Sequence, residues 1–228
     1  MNRESYSGQR ILEAMHKAVK YSDAVHAIIE RAIPKDSNGV LEFGAGDGAY
    51  LKRFEGKGLT VDCVEPDDEL RAGLVGNRRV YQTIQEVPDA SYDFIYAVNV
   101  LEHIWDLTTA IKSLRRVLRP CGTLFVLVPA FNALWTSLDD EVGHVQRFTK
   151  ATLRAALSEG GFSQQRLHYF DSMGFPASLG VKALQRFGLF RFSGNSIGFY
   201  DRYMFPFSKA LDKYLAPVVG KNVIAVAQ

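Results

Sequence analysis

The sequence predicts a doubly wound α/β fold: a mostly parallel sheet of seven strands with helices on both faces. Three observations carry that expectation. Short apolar runs alternate with stretches of helical period along the chain, the mark of repeated strand-helix-strand units. The first run, Val40-Leu41-Glu42-Phe43, opens directly into Gly44-Ala45-Gly46-Asp47-Gly48, a strand ending in a glycine turn. A later run, Leu124-Phe125-Val126-Leu127-Val128, is apolar at every position, as a strand buried on both faces requires.

The elements follow in order. Over residues 9–33, Ile11, Leu12, Met15, Val19, Val25, Ile28 and Ile29 recur at helical spacing, and Pro34 and Gly39 end the stretch. Residues 1–37 are thus expected to form an N-terminal helical cap. A second strand over 60–64 stops at Glu65-Pro66-Asp67, with a short helix through Glu69 and Leu70. Residues 79–83 and Tyr92–Val98 supply the third and fourth strands. Asp106 caps a helix carrying Leu107, Ile111, Leu114, Val117 and Leu118, stopped by Pro120 and Gly122. Thr149 opens a helix that Gly160-Gly161 closes. Residues 166–170 and Asn222–Ala227 are the last strands. Between them, residues 174–217 read as an insertion of irregular pattern, a small cap before the final strand. Ten aromatics from Phe175 to Tyr214 are expected mostly to complete the core. The stretch is also basic, with Lys182, Arg186, Arg191, Arg202, Lys209 and Lys213 against Asp201 and Asp212.

Composition narrows the function. With 228 residues, 47% hydrophobic and 23% charged, the chain 1–228 can bury one sizeable core as a single domain. The 27 basic and 25 acidic side chains leave a net charge of +2, too little for a whole-protein field that holds nucleic acid. Cys63 and Cys121 lack zinc or disulfide spacing. No leader-like run opens the sequence, and no stretch reaches the ~18 to 20 apolar residues of a membrane span. The expected setting is cytoplasmic.

Closely spaced glycines let a ligand approach the backbone without meeting a Cβ atom, and the following helix start offers free N–H groups. Gly44 to Ala49 fits both the GxGxxA of dinucleotide binders and, with Glu42 included, the acidic-x-GxGxG of methyl-donor binders. Glu42 favours the second pattern: a carboxylate at the strand end is expected to order the loop and face a cationic amino group. Glu65 suits two ribose hydroxyls under either pattern. Asn99-Val100-Leu101-Glu102-His103 after the fourth strand and Arg119-Pro120-Cys121-Gly122-Thr123 before the fifth also favour the second.

Together, the segments from Val40 to Gly48, Val64 to Asp67, Asp93 to His103 and Leu118 to Gly122 strongly resemble the class I S-adenosylmethionine-dependent methyltransferases, over about residues 38–170. The resemblance implies a Rossmann-like methyltransferase fold with an antiparallel strand from a terminal hairpin. It also implies S-adenosylmethionine as cofactor, leaving as S-adenosylhomocysteine. Gly44, Ala45, Gly46 and Gly48 would wrap its methionine part, Glu65 the ribose, and Pro66 the adenine. Thr83 and Ile84 would border the adenine edge, Asn99 would lie beside the methionine moiety, and Tyr21 would cover the pocket.

Some relatives carry Glu-x-x-Glu-His after the fourth strand and bind a divalent metal there. Here Asn99 replaces the first carboxylate, so no metal is expected, and Glu102 and His103 read equally as a helix-start pair bonded to backbone. Gly143-His144-x-x-Arg147-Phe148-Thr149 resembles a signature of a bacterial methyltransferase subgroup (type 11/12-like). It makes His144 the candidate general base and Arg147 the candidate acceptor anchor. His16 and His26 read as solvated helix residues and His168 as structural, while Trp105 and Trp135, at the same sheet edge, either line an acceptor pocket or cap the core, with core packing favoured. The expected reaction methylates a hydroxyl or amine of a small molecule or glycan. The alternatives are a lipid-linked acceptor met at the membrane surface by peripheral contact, and a nicotinamide-dependent oxidoreductase, which Glu42 and the later motifs disfavour.

Overall fold

The structure, a computed structural model, describes residues 15–190 and 193–228. Strands β1 (Val40–Phe43), β2 (Asp62–Val64), β3 (Val80–Tyr81), β4 (Tyr92–Val98), β5 (Leu118–Pro129), β6 (Gln165–Phe170) and β7 (Asn222–Ala227) form one sheet in the order β3-β2-β1-β4-β5-β7-β6. β1 to β5 pair in parallel, and β7 runs antiparallel between β5 and β6. The strand order reverses between β1 and β4, which places a ligand crevice at their carboxyl ends.

Alternation along the central strands sorts the core into two layers. Phe94, Tyr96, Phe125 and Leu127 pack beneath helices α1 (Val19–Ala32) and α2 (Ala49–Glu55). Ile95, Leu124 and Val126 face the other way, toward Ile111 and Leu114 of α4 (Leu107–Val117) and Leu153 and Leu157 of α6 (Lys150–Glu159). A short α3 (Asp68–Ala72) follows β2, capped by Asp67, whose carboxylate accepts from the Glu69 and Leu70 amides. Asp106 caps α4 and Thr149 caps α6, as the sequence predicts.

Several expectations are corrected. The helical stretch read over 9–33 is interrupted: among the described residues Met15 is helical, residues 16–18 break the helix, and it resumes at Val19, where Asp201 reaches back from the far end of the chain. Its carboxylate accepts from the Lys20 and Tyr21 amides at 3.0 and 2.8 Å, satisfying the open N–H groups of a helix start. Ile11 and Leu12 lie outside the described residues. β5 begins at Leu118, six residues early: the position before Pro120 must be extended, so the helix ends at Val117 and the chain enters the sheet at once, pairing Leu118 with Tyr92. Residues 174–217 are largely helical: α7 (Gly174–Arg186), α8 (Gly194–Phe199), a π-helical turn (Tyr200–Met204) and α9 (Phe205–Leu215). Their aromatics mostly stay out of the core. Phe205 is buried, but Phe187, Phe199, Tyr203, Phe207 and Tyr214 are exposed, because Asp201, Phe205 and Ser208 take the inward face.

His26 is buried against the Phe54 ring, with centroids 4.3 Å apart. Desolvation lowers its pKa. His16 instead meets Asp47 at 2.5 Å. Trp105 is 85% exposed and outside the core, while Trp135 is half-buried and donates to Asp140.

Losing a helix cap costs ~0.5–2 kcal/mol. Asp201→Ala should therefore lower stability by about that amount in urea unfolding and raise amide exchange at Lys20 and Tyr21. Unchanged exchange at both amides would refute the long-range cap.

Candidate active site

The glycine loop needs glycine twice over. Gly44 has φ +77°, and a Cβ there would sit 2.5 Å from a Val100 methyl; Gly48 has φ +74°, with a Leu74 methyl 2.7 Å from its would-be Cβ. Both demand a left-handed backbone that β-carbons disfavour. Ala45 is buried in the core beneath the loop.

Glu65, at the end of β2, fastens this loop. Its Oε2 accepts from the Gly46 amide at 2.7 Å and its Oε1 from the Asp67 amide at 2.9 Å. Each oxygen keeps a second acceptor position, so the carboxylate can serve two ribose hydroxyls while holding the loop. Glu42 does not order the loop by a direct bond: its Oε2 accepts from the Tyr96 hydroxyl at 3.0 Å. Burial pushes the Glu42 carboxyl well above its ordinary value, and a cationic group beside it would restore the ionised form.

Pro66 is exposed beside Glu65, Ile84 is buried in the core, and the Thr83 hydroxyl donates to Glu86 at 3.3 Å. Asn99 leaves β4 with φ +53°, its amide donating to the Leu127 carbonyl at 2.8 Å. Tyr21 is buried, its hydroxyl accepting from Asn222 at 3.0 Å.

Beyond β5, a 3-10 turn (Asn132–Leu134) and α5 (Ser137–Glu141) cross the carboxyl edge of the sheet. Here Asp139, buried, gathers the segment. It accepts from the Thr136 amide at 2.8 Å, from His144 Nδ1 at 2.7 Å, and from Arg147 Nε and Nη2 at 2.7 and 2.9 Å. Burial alone would raise its pKa, but the hydrogen bonds from His144 and Arg147 prevail and hold Asp139 well below the usual carboxylate range. Arg147 also donates to the Ala130 carbonyl at 3.1 Å. Three of its five N–H donors thus go to the protein, and the residue lines a cavity together with His144.

A carboxylate only accepts, so His144 donates from Nδ1, and the tautomer this selects for the neutral ring has its lone pair on Nε2. That nitrogen lies 3.7 Å from Glu102 Oε1. Glu102 sits in a 3-10 turn (Leu101–His103), fully buried, and neither carboxylate oxygen has a hydrogen-bond partner. Burial pushes its carboxyl up to about 8, against the opposing pull of its own backbone amide and of Arg147. His103 Nδ1 meets the Gly143 carbonyl at 3.3 Å, and its ring stands edge-on to His144 with centroids 4.8 Å apart. Donor atoms of Glu102, His103 and His144 lie within 4.8 Å of one another, so the three can approach a single cation.

These groups open on a cavity of about 310 Å³, walled by Tyr21 of α1, by Asn99, Glu102 and His144 at the carboxyl edge of the sheet, and by Val181 and Tyr200 from the insertion. Asp171 also lines it. This buried residue holds the Tyr200 and Ser208 hydroxyls at 2.5 and 2.7 Å. The sequence gives no role to Asp139 or Asp171. Both act through loop geometry, for which neither helical nor strand period leaves a signal.

Residues 13–166 match the model of a methyltransferase domain family, and the chain belongs to that family. An uncharacterized methyltransferase of Mycobacterium bovis is 32% identical over 124 residues, 52% of this chain and 48% of the relative. A probable S-adenosylmethionine-dependent methyltransferase of Mycobacterium tuberculosis is 26% identical over 144 residues, 59% of this chain and 53% of the relative. The chain thus spans about half the length of the curated relatives it matches. A crystal structure of a SAM-dependent methyltransferase from Archaeoglobus fulgidus superposes with a TM-score of 0.59 at 18% identity, covering 90% of this chain and 93% of that one. It shares the fold. S-adenosylmethionine is the cofactor that the Mycobacterium tuberculosis relative and the Archaeoglobus fulgidus structure name, and the glycine cradle, the Glu65 acceptors and the buried Glu42 carboxyl suit its amino acid and ribose.

Asp139→Asn should cost about 3–5 kcal/mol in chemical unfolding, since it leaves the buried Arg147 uncompensated. Glu102 makes a second expectation. Its folded pKa is raised, so the native state holds a proton that the unfolded chain releases, and stability falls as pH rises from 4.5 toward about 8. Glu102→Gln should flatten that fall when unfolding midpoints are followed across the same window with a chelator present. An identical pH slope in both proteins would count against the raised carboxyl.

Proposed function

We propose that this chain transfers the methyl group of S-adenosylmethionine to a hydroxyl or amine of a small-molecule or glycan acceptor seated in the cavity. One observation carries the reading: Asp139 engages His144 through Nδ1, which leaves Nε2 available on the cavity wall. The cofactor supplies a methyl group already activated by its sulfonium. The acceptor proton passes to His144 Nε2, and Asp139 stabilises the imidazolium that results. Arg147 acts on this step through Asp139, as a positioning residue.

Magnitudes rank these contributions. Orienting an acceptor in line with the methyl group is worth ~7–11 kcal/mol, whereas a general base adds a factor of about 10² to 10⁴. Loss of the base therefore slows the reaction without abolishing it.

A second reading is favoured by the unpartnered oxygens of Glu102. In it, Glu102, His103 and His144 hold a divalent cation, and the His144 Nε2 lone pair goes to the ion. Two imidazoles and one carboxylate suit zinc and its first-row neighbours better than magnesium. A bound ion would lower the pKa of an acceptor hydroxyl in place of a base.

His144→Ala and a chelator separate the two. The base reading expects a fall in kcat of about 10² to 10⁴, smallest at high pH, with no effect of the chelator on the wild-type enzyme. Chelator inactivation reversed by zinc or manganese would replace it with the metal reading. Full activity of His144→Ala across the pH range would remove both.

A further inference from the structure

We infer that the outer face of the insertion docks on an anionic lipid bilayer. Phe199, Tyr203, Phe207, Leu211 and Tyr214 recur three or four residues apart through α8, the π-helical turn and α9, and they are exposed, from 39% at Leu211 to 78% at Tyr214; Val218, in the turn after α9, is exposed as well. This spacing puts the first five along one side of a helical rod about 25 Å long. Among the described residues, the exposed large apolar side chains before residue 179 are only Val19, Val75 and Trp105. Single exposed apolar residues are ordinary, whereas a contiguous stripe marks an interaction surface.

The charges around the stripe point to the occupant. Arg202, Lys209 and Lys213, on the same run of helix, are exposed. The two acidic residues of 174–217 both turn inward: Asp201 holds the amides of α1, and Asp212 accepts from the Asp171 and Ser172 amides at 3.0 and 2.8 Å. The insertion thus presents aromatic and cationic groups outward with no carboxylate of its own to offset them. Arg202 stays beside the stripe, its guanidinium carbon 5.4 Å from the Tyr203 ring centre. Lys20, from α1, joins the same edge by donating to the Arg202 carbonyl at 3.0 Å.

Aromatic side chains that enter the headgroup region, flanked by lysine and arginine, are the chemistry of helices lying on anionic membranes. Self-association through the same face would bring two basic rows together, so a second copy is the poorer occupant. No helix among the described residues is long and apolar enough to cross a bilayer, which fits contact at the surface. The inner faces of these helices also wall the cavity, with Val181 from α7, Ile197 from α8 and Tyr200 from the π-helical turn. This deepens the acceptor assignment, which it rests on only there: a lipid-linked acceptor would meet the cavity at the bilayer surface.

Cosedimentation of the full chain with vesicles tests the surface without turnover, so its failure is separate from failure of the proposed reaction. Phosphatidylcholine vesicles containing phosphatidylglycerol should bind at least about tenfold more tightly than phosphatidylcholine alone, and salt should weaken that binding. Phe207→Ser/Tyr214→Ser and Lys209→Glu/Lys213→Glu should each lose about tenfold or more with unfolding midpoints unchanged, because all four side chains are exposed. Val75→Ser, exposed elsewhere, should bind as wild type. Equal or absent binding to both vesicle types overturns the inference, as does a dimer that the Phe207→Ser/Tyr214→Ser variant dissociates and that never binds vesicles.

Discussion

The buried carboxylate of Asp139 is the interaction on which the acceptor side of this molecule depends. It is the common acceptor for Thr136, His144 and Arg147, three residues of a segment whose backbone meets the sheet edge through an isolated bridge, Ala130 with Phe148. A buried charge with that many donors is stable only while all of them stay. The loop therefore has one arrangement over the carboxyl edge, and in it the His144 ring faces Glu102 and the cavity. The Arg147 guanidinium, bonded on one side to Asp139 and on the other to Ala130 beyond β5, ties that arrangement to the sheet.

The donor side is built differently. There the strand reversal at β1 and β4 makes the crevice, and the glycines let Val100 and Leu74 close on the loop from outside. Glu65 crosses from β2 to hold the loop amide of Gly46. The two halves meet at Asn99 and Tyr21, one at the end of β4 and the other in the N-terminal helix. Asp201 fixes the start of that helix, so a residue of the insertion helps set the shared wall of the cavity.

Strands whose apolar pattern is local were legible in the sequence: β1, β4 and β7 have the expected limits. The glycine loop and the Asp106 and Thr149 caps were legible for the same reason, since each depends on neighbours in the chain. What escaped was set by distant partners. The α1 start depends on Asp201, the buried state of His26 on Phe54, and the loop-fastening role on Glu65 rather than Glu42. The aromatics of 174–217 were misplaced because helical spacing alone does not say which side of a helix meets the core. His144 was singled out by its signature, but its tautomer became definable only once Asp139 stood beside Nδ1.

The central claim is that the carboxyl edge of the sheet holds a methyl donor rather than a nicotinamide. Thermal unfolding with S-adenosylmethionine, S-adenosylhomocysteine, NAD or NADP tests it most directly. A ligand at about 100 times its Kd stabilises by ~2.7 kcal/mol, and each kcal/mol moves the midpoint by roughly 2–4 °C at this size. The account predicts a rise of that order with the two sulfur ligands and none with the nicotinamides. A rise with NAD or NADP alone, or with none of the four, would contradict it.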